Sequence, residues 1–179
     1  MLSKGSDKMG KVLASWSGMR KYLEKDMLAD CLKGRVRYDS TTYVGMDGCR
    51  IFRIFIDNET FKSFSWETVN SYFIKGGYKI NSNPFGIDEY WHEFWELLRK
   101  IPLSERTEYT DKEFCDALTL YRNQDIKASV ESENPLIKMF ALLDRRTGKK
   151  TLVNLKDQIN LCPEWLRVIY KIRVDAETL

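Results

Sequence analysis

The chain has 179 residues, 43% hydrophobic and 13% aromatic, and its 29 Lys and Arg against 26 Asp and Glu give a formal net charge of +3. This length and apolar content suffice for a self-supporting core without disulfide staples. A charge so close to balance excludes a dedicated polycationic nucleic-acid binder and leaves room only for a local basic patch.

The opening "MLSKGSDKMGKVLASWS" is polar and lacks the apolar stretch of a secretory signal, so residues 1–14 read as a flexible leader. No run reaches the length of a membrane span, and the expected location is cytoplasmic. Residues 15–33 predict a first helix. Trp16, Met19, Leu23, Met27 and Cys31 recur at spacings of three and four, Ser15 or Ser17 can cap the start, and Gly34 can end it. "RVRYDSTTYVGMDGCRIFRIFID" reads as a β-hairpin turning at Met46-Asp47-Gly48, with Phe52, Ile54 and Ile56 on one apolar face and Arg50 at its mouth. A second turn at Asp57-Asn58-Glu59 leads into "FKSFSW". "WETVNSYF" fits either a helix capped by Ser65 or another strand.

"KGGYKINSNPFG" breaks the pattern, and the remainder is helical. Ile87, Trp91, Phe94, Leu98 and Ile101 form a stripe that stops at Pro102. Thr110 and Glu113 form a capping box before a helix carrying Phe114, Leu118 and Tyr121. Asn134-Pro135 supplies a cap and a first-turn proline for "LIKMFALLDRR", and Pro163 opens a last helix with Leu166, Ile169 and Tyr170 inward. The expectation is one α+β domain over residues 15–179. A helix and small antiparallel sheet (15–80) come first, then a mainly helical half (84–179) on a shared core.

Catalytic signatures are scarce. Cys31, Cys49, Cys115 and Cys162 are scattered, with none of the close pairs that converge on zinc. His92 is the one histidine, so the twice-used Glu-x-x-His motif of di-iron bundles cannot be completed, and Glu96 stands where a metalloprotease helix needs its second histidine. No nucleophile elbow occurs, and no cofactor motif or catalytic residue is assigned.

The best candidate is "DRRTGKK". It is not a phosphate loop: Leu143 stands where the first glycine belongs, Lys150 where Ser or Thr must follow the lysine, and a helix precedes it. Arg145, Arg146, Lys149 and Lys150 can complement a helix C-terminus, with Gly148 as a left-handed cap or as a turn in a hairpin. Alternatively they form a docking patch for phosphates or carboxylates, with Asp144 orienting one arginine. Arg35 and Arg37, on one face of the first strand, can extend that patch.

"WSGMRKYLEKDM", "LKGRVRYDSTTY", "NPLIKMFALLDRRTGKKTL" and "PEWLRVIYKIRVDAE" together resemble an uncharacterised family of small bacterial cytosolic proteins. The resemblance implies a bacterial origin in a mobile or accessory gene region, and it carries no catalytic residues.

Three functional expectations follow. The first is a non-enzymatic binding or inhibitor protein, comparable to immunity proteins or phage inhibitors of bacterial defence, whose partner is another macromolecule, foremost a protein. It acts through a basic surface that also carries one or two of the rings of Tyr90, Trp91, Phe94 and Trp95. The second is a nucleic-acid-binding accessory protein using the 145–150 patch. The third is an unrecognised enzyme.

Overall fold

The computed structural model describes residues 15–41, 50–83 and 86–179. The expected leader, the Met46-Asp47-Gly48 turn and Cys49 lie outside the described residues. Ser15 caps α1 (Trp16–Lys21) through a hydroxyl that accepts from Gly18 N. The expected helix over 15–33 is shorter. It widens into a π-turn at Tyr22–Met27, stops at Leu28 and resumes as a 3₁₀ turn at Asp30–Leu32. Pairing with a distant segment ends it early. Leu28 bridges Asp144 in antiparallel fashion, with Ala29 N donating to Leu143 O and Arg145 N to Met27 O, both at 2.9 Å. Gly34, at φ 81°, then turns the chain into the sheet.

β1 (Val36–Ser40), β2 (Phe52–Ile56) and β3 (Glu59–Phe64) form an antiparallel meander in sequence order. Asp57 and Asn58 join β2 to β3 with φ of 51° and 72°, the left-handed pair of a tight hairpin turn. A bulge at Ile54/Phe55 shifts the register. On the outer edge, the Glu24 carboxylate accepts from Tyr38 N at 2.8 Å, so a side chain covers part of an edge that would otherwise invite pairing.

Phe52, Ile54 and Phe64 line the inner face of the sheet, and Lys62 is buried with them. The Lys62 ammonium donates to Thr107 O and lies 5.0 Å from the Trp165 ring centroid and 5.5 Å from that of Tyr109, so carbonyl and ring faces replace its water.

"WETVNSYF" resolves as a helix. The Ser65 hydroxyl accepts from Thr68 N and opens α2 (Trp66–Lys75). α2 and α3 (Ile87–Lys100) pack into a hairpin with an apolar cluster of its own around Val69, Phe73, Phe94 and Leu98, walled by Trp66, Trp91 and Trp95. Ile87, expected in the stripe, is 66% exposed; Tyr90, buried, packs its ring against Phe94 instead.

The capping box forms as the sequence predicts, starting α4 (Asp111–Asn123), and α5 (Ile126–Glu131) follows. α6 (Pro135–Leu143) is the central helix: every residue except Lys138 is buried, as expected for a helix apolar all round. α7 (Lys149–Asn154), α8 (Lys156–Ile159) and α9 (Glu164–Ala176) wrap it. A chain of rings from Trp16 to Phe52, Phe114, Phe140 and Tyr121, with centroids 5.2–5.7 Å apart, joins α1, the sheet, α4 and α6. The sheet and the C-terminal helices therefore share one core, an α+β fold with a helical C-terminal half.

Phe114 sits at the centre of this ring chain, and Phe114→Ala is expected to cost about 3–5 kcal/mol in denaturant unfolding. Alkali should also weaken the fold. Burial raises the phenols of Tyr38, Tyr109 and Tyr121 above their ordinary value of 10.0. Unfolded phenols lose their protons first, so this contribution is intact below pH 10 and declines as pH rises beyond it. Lys62, lowered by burial from 10.5, acts oppositely and adds stability as pH climbs toward that value. Three phenols against one amine predict net loss above about pH 10.5, measured by denaturant midpoints across that range.

Candidate functional site

The candidate cations follow α6, whose last turn ends inside the protein. Its carbonyls still need donors. Thr147 Oγ1 donates to Ala141 O at 2.6 Å, and Ala29 N takes Leu143 O. Asp144, the C-cap, is 1% exposed. A buried carboxylate at the negative end of a helix requires strong partners. Arg146 supplies them: its Nε lies 3.1 and 3.0 Å from the two carboxylate oxygens, its Nη2 2.8 Å from Oδ2, and its backbone N 2.6 Å from Oδ1.

Tyr121, reaching in from α4, donates its phenolic proton to Asp144 Oδ2 and accepts from Arg146 Nη2 at 3.0 Å. Burial raises this phenol, and the adjacent carboxylate raises it further. The hydrogen bonds to Asp144 hold the Arg146 guanidinium firmly protonated. Almost half of the Arg146 side chain, 47%, stays in contact with solvent, and Nη1 has no hydrogen bond to a described residue.

The other candidates are placed separately. Arg145 follows the cap, exposed, bonded through its backbone to Met27. Gly148 is extended, at φ −78° and ψ 165°, and caps the start of α7; the expected left-handed C-cap is absent. Lys149 and Lys150 accordingly open a helix, where its dipole opposes cations, so the dipole explanation covers only Arg145 and Arg146. Lys149 Nζ is held by Glu177 O at 2.8 Å. Glu177 also accepts from buried Arg173 at 3.0 Å and from the Cys31 thiol at 3.3 Å.

Arg35 makes a bidentate pair with Asp57, at 2.9 and 2.7 Å. Arg35 N donates to Leu32 O of the 3₁₀ turn at 3.0 Å, and Glu177, which holds Lys149, accepts from Cys31 of that turn, so Arg35 and Lys149 approach the same turn. Arg37 turns to Asn58 at 3.0 Å and stacks over Phe55 at 5.7 Å. Instead of one open basic patch, the structure shows cations individually tied to local acceptors, with Arg145 and Lys150 making no ion pair to a described residue.

A cavity of about 290 Å³ opens beside Arg146, between α5 and the segment running through α7 and α8. Ile126, Val130 and Leu155 give it an apolar floor, and exposed Lys127, Glu131, Arg146, Thr151, Asn154 and Gln158 a polar rim of mixed charge. The sequence pattern gave no hint of Lys127 or Thr151, and Tyr121 reads there as a core residue. That Asp144 orients one of the two arginines is the part the sequence made visible; the structure shows it to be Arg146.

A family model, the SF0329 protein family, matches residues 15–174. The chain belongs to this family. The family match spans Asp144, Arg146, Tyr121 and the whole cavity. Neither a search of curated proteins nor one of solved structures returned a match.

Other reactive groups lie elsewhere. His92 is exposed and pairs with Glu96 at 3.4 Å. Burial pushes the Cys115 thiol up to about 11, and burial plus the Glu177 hydrogen bond raises Cys31. Among the described residues no three His, Cys, Asp or Glu side chains gather as metal ligands, and no helix is long and apolar enough to cross a membrane.

Arg146→Ala leaves the buried Asp144 with only the Tyr121 hydroxyl and the backbone N–H of residue 146 and no counter-charge, and should cost about 3 kcal/mol, the lower end for breaking a buried pair because the arginine is half-exposed. Asp144→Asn in the same background should recover much of it. A double-mutant cycle by urea unfolding is expected to show coupling above about 1 kcal/mol.

Proposed function

We propose that the protein is a non-enzymatic cytoplasmic binding protein that engages, and thereby inhibits, another macromolecule through the face around Arg146. A protein partner fits best, in the manner of an immunity protein or a mobile-element inhibitor of a bacterial defence system. The observation that carries this reading is the Arg146 fork. It is fixed by a buried carboxylate and a buried phenol, yet remains half-exposed at a cavity mouth. A guanidinium held in one orientation loses little conformational freedom on binding, which is how preorganised contacts gain affinity.

The state of the reactive groups supports a role without covalent chemistry. An exposed His92 beside Glu96 lacks a nucleophile, and thiols raised by burial are poor ones near neutral pH. The pairing of Arg35, Arg146 and Lys149 with local acids weighs against wrapping a polyanion and favours recognition of a single anionic group.

Affinity-tagged protein used as bait at low and moderate salt tests this. One stoichiometric protein partner is expected, retained as salt rises and reduced at least about tenfold by Arg146→Lys, which keeps the charge and removes the fork. Recovery of nucleic acid that disappears steeply with salt would favour the accessory-protein alternative. Capture indifferent to Arg146→Lys would remove this face from the mechanism.

A further inference from the structure

The cavity beside Arg146 has a chemistry that narrows what enters it. We infer that it is a binding site for a short branched or unbranched apolar group ending in a carboxylate, supplied by a small free acid or by the C-terminal residue of a partner chain. The inference rests on the reading of Arg146 as the contact group.

Size comes first. About 290 Å³ lies at the small end of ligand cavities and suits one side chain or a small acid, not a nucleotide. The floor comes second: Val130 and Leu155 are each 4% exposed, Ile126 is half-buried, and buried Thr147 beside them spends its hydroxyl proton on Ala141 O, so the inner part is mainly apolar, with Asn154 and Gln158 at the exposed edge. An aliphatic group gains most there.

Charge comes third. Asp144 stands behind the guanidinium with its oxygens engaged by Arg146 and Tyr121, so it offers the entrant little competition. Arg146 Nη1 makes no hydrogen bond to a described residue, Lys127 stands on the α5 wall, and the Thr151 hydroxyl is a further donor. Glu131, one turn from Lys127 on the same helix, is the single carboxylate among the described lining residues. An anion is thus favoured at the rim and disfavoured on the floor, which sets the direction of entry, apolar end first.

Titration calorimetry on the full chain tests this with isovalerate, its amide, isoamylamine and inorganic phosphate. The tripeptide Ala-Ala-Leu is added with a free and with an amidated C-terminus. Isovalerate is expected to saturate with a dissociation constant on the order of 1 mM, ordinary for so few atoms. Loss of the carboxylate, in amide or amine, should weaken it roughly tenfold or more, as should phosphate's lack of an apolar end. Tighter binding of the free-acid peptide than of isovalerate assigns the site to a chain terminus; the reverse assigns it to a small acid.

Thr151→Trp fills the mouth from an exposed helix position while Asp144, Arg146 and Tyr121 all keep their own side chains, and should abolish binding even if Arg146→Lys proves unstable. Equal binding of the amide, equal binding of phosphate, unchanged binding by Thr151→Trp, or no saturation by any carboxylate each overturns the inference. The partner assay separates it from the functional reading. Dependence of partner capture on Arg146 with no carboxylate binding refutes only the ligand class. Carboxylate binding with capture indifferent to Arg146 refutes only the inhibitor role.

Discussion

Burying the C-terminal end of an apolar helix together with a carboxylate is the constraint around which this protein is arranged. α6 is surrounded by core on nearly every side, so its last carbonyls and Asp144 end where water cannot reach them. Each needs a donor from a different part of the chain. Thr147 folds back, Ala29 pairs across from the first helix, and Tyr121 and Arg146 close on the carboxylate. The same requirement shortens α1, because a backbone donating to Leu143 cannot also continue a helix. One buried end therefore fixes the relation of the N-terminal helix, the central helix and α4, and it fixes Arg146 with them.

This arrangement changes the meaning of a cationic run. Six clustered or strand-borne cations in a sequence suggest a field, but a field needs charges without local counterions. Here Arg35 has Asp57, Arg146 has Asp144 and Lys149 has Glu177, so much of the positive potential is cancelled within a few ångströms. What remains is directional hydrogen bonding at one well-held guanidinium. Such a group discriminates by shape and by the geometry of its partner's oxygens, where a diffuse potential would only attract.

The sequence made visible whatever short-range rules decide. The Thr110–Glu113 box, the Ser15 and Asn134 caps, the meander and the helical second half follow from residues close together in the chain. The pairing of Asp144 with an arginine was legible for the same reason, at a separation of two. The break at Leu28 was not, because its cause lies more than a hundred residues away. Nor was the exposure of Ile87: periodicity places a residue on a face, but not at the height where the neighbouring helix ends. Gly148 shows the limit of composition. Glycine after a helix suggests a left-handed cap, whereas here the next helix begins so soon that the glycine serves as an extended entry to it. The cavity depends on Lys127, Arg146 and Thr151, brought together only by the packing of α5 against α7 and the segment before it.

The separate aromatic cluster of α2 and α3 has a consequence for motion. Trp66 meets Trp91 edge-on at 5.3 Å and Phe73 meets Phe94 at 5.4 Å, a cohesion internal to the hairpin. Elements that cohere internally and lean lightly on the remainder open as units, at lower free energy than global unfolding. The hairpin should accordingly lose amide protection as one cooperative block while the ring chain from Trp16 to Tyr121 keeps its own. Excursions of this paddle would leave the Arg146 face undisturbed, since no residue of α2 or α3 lines the cavity there.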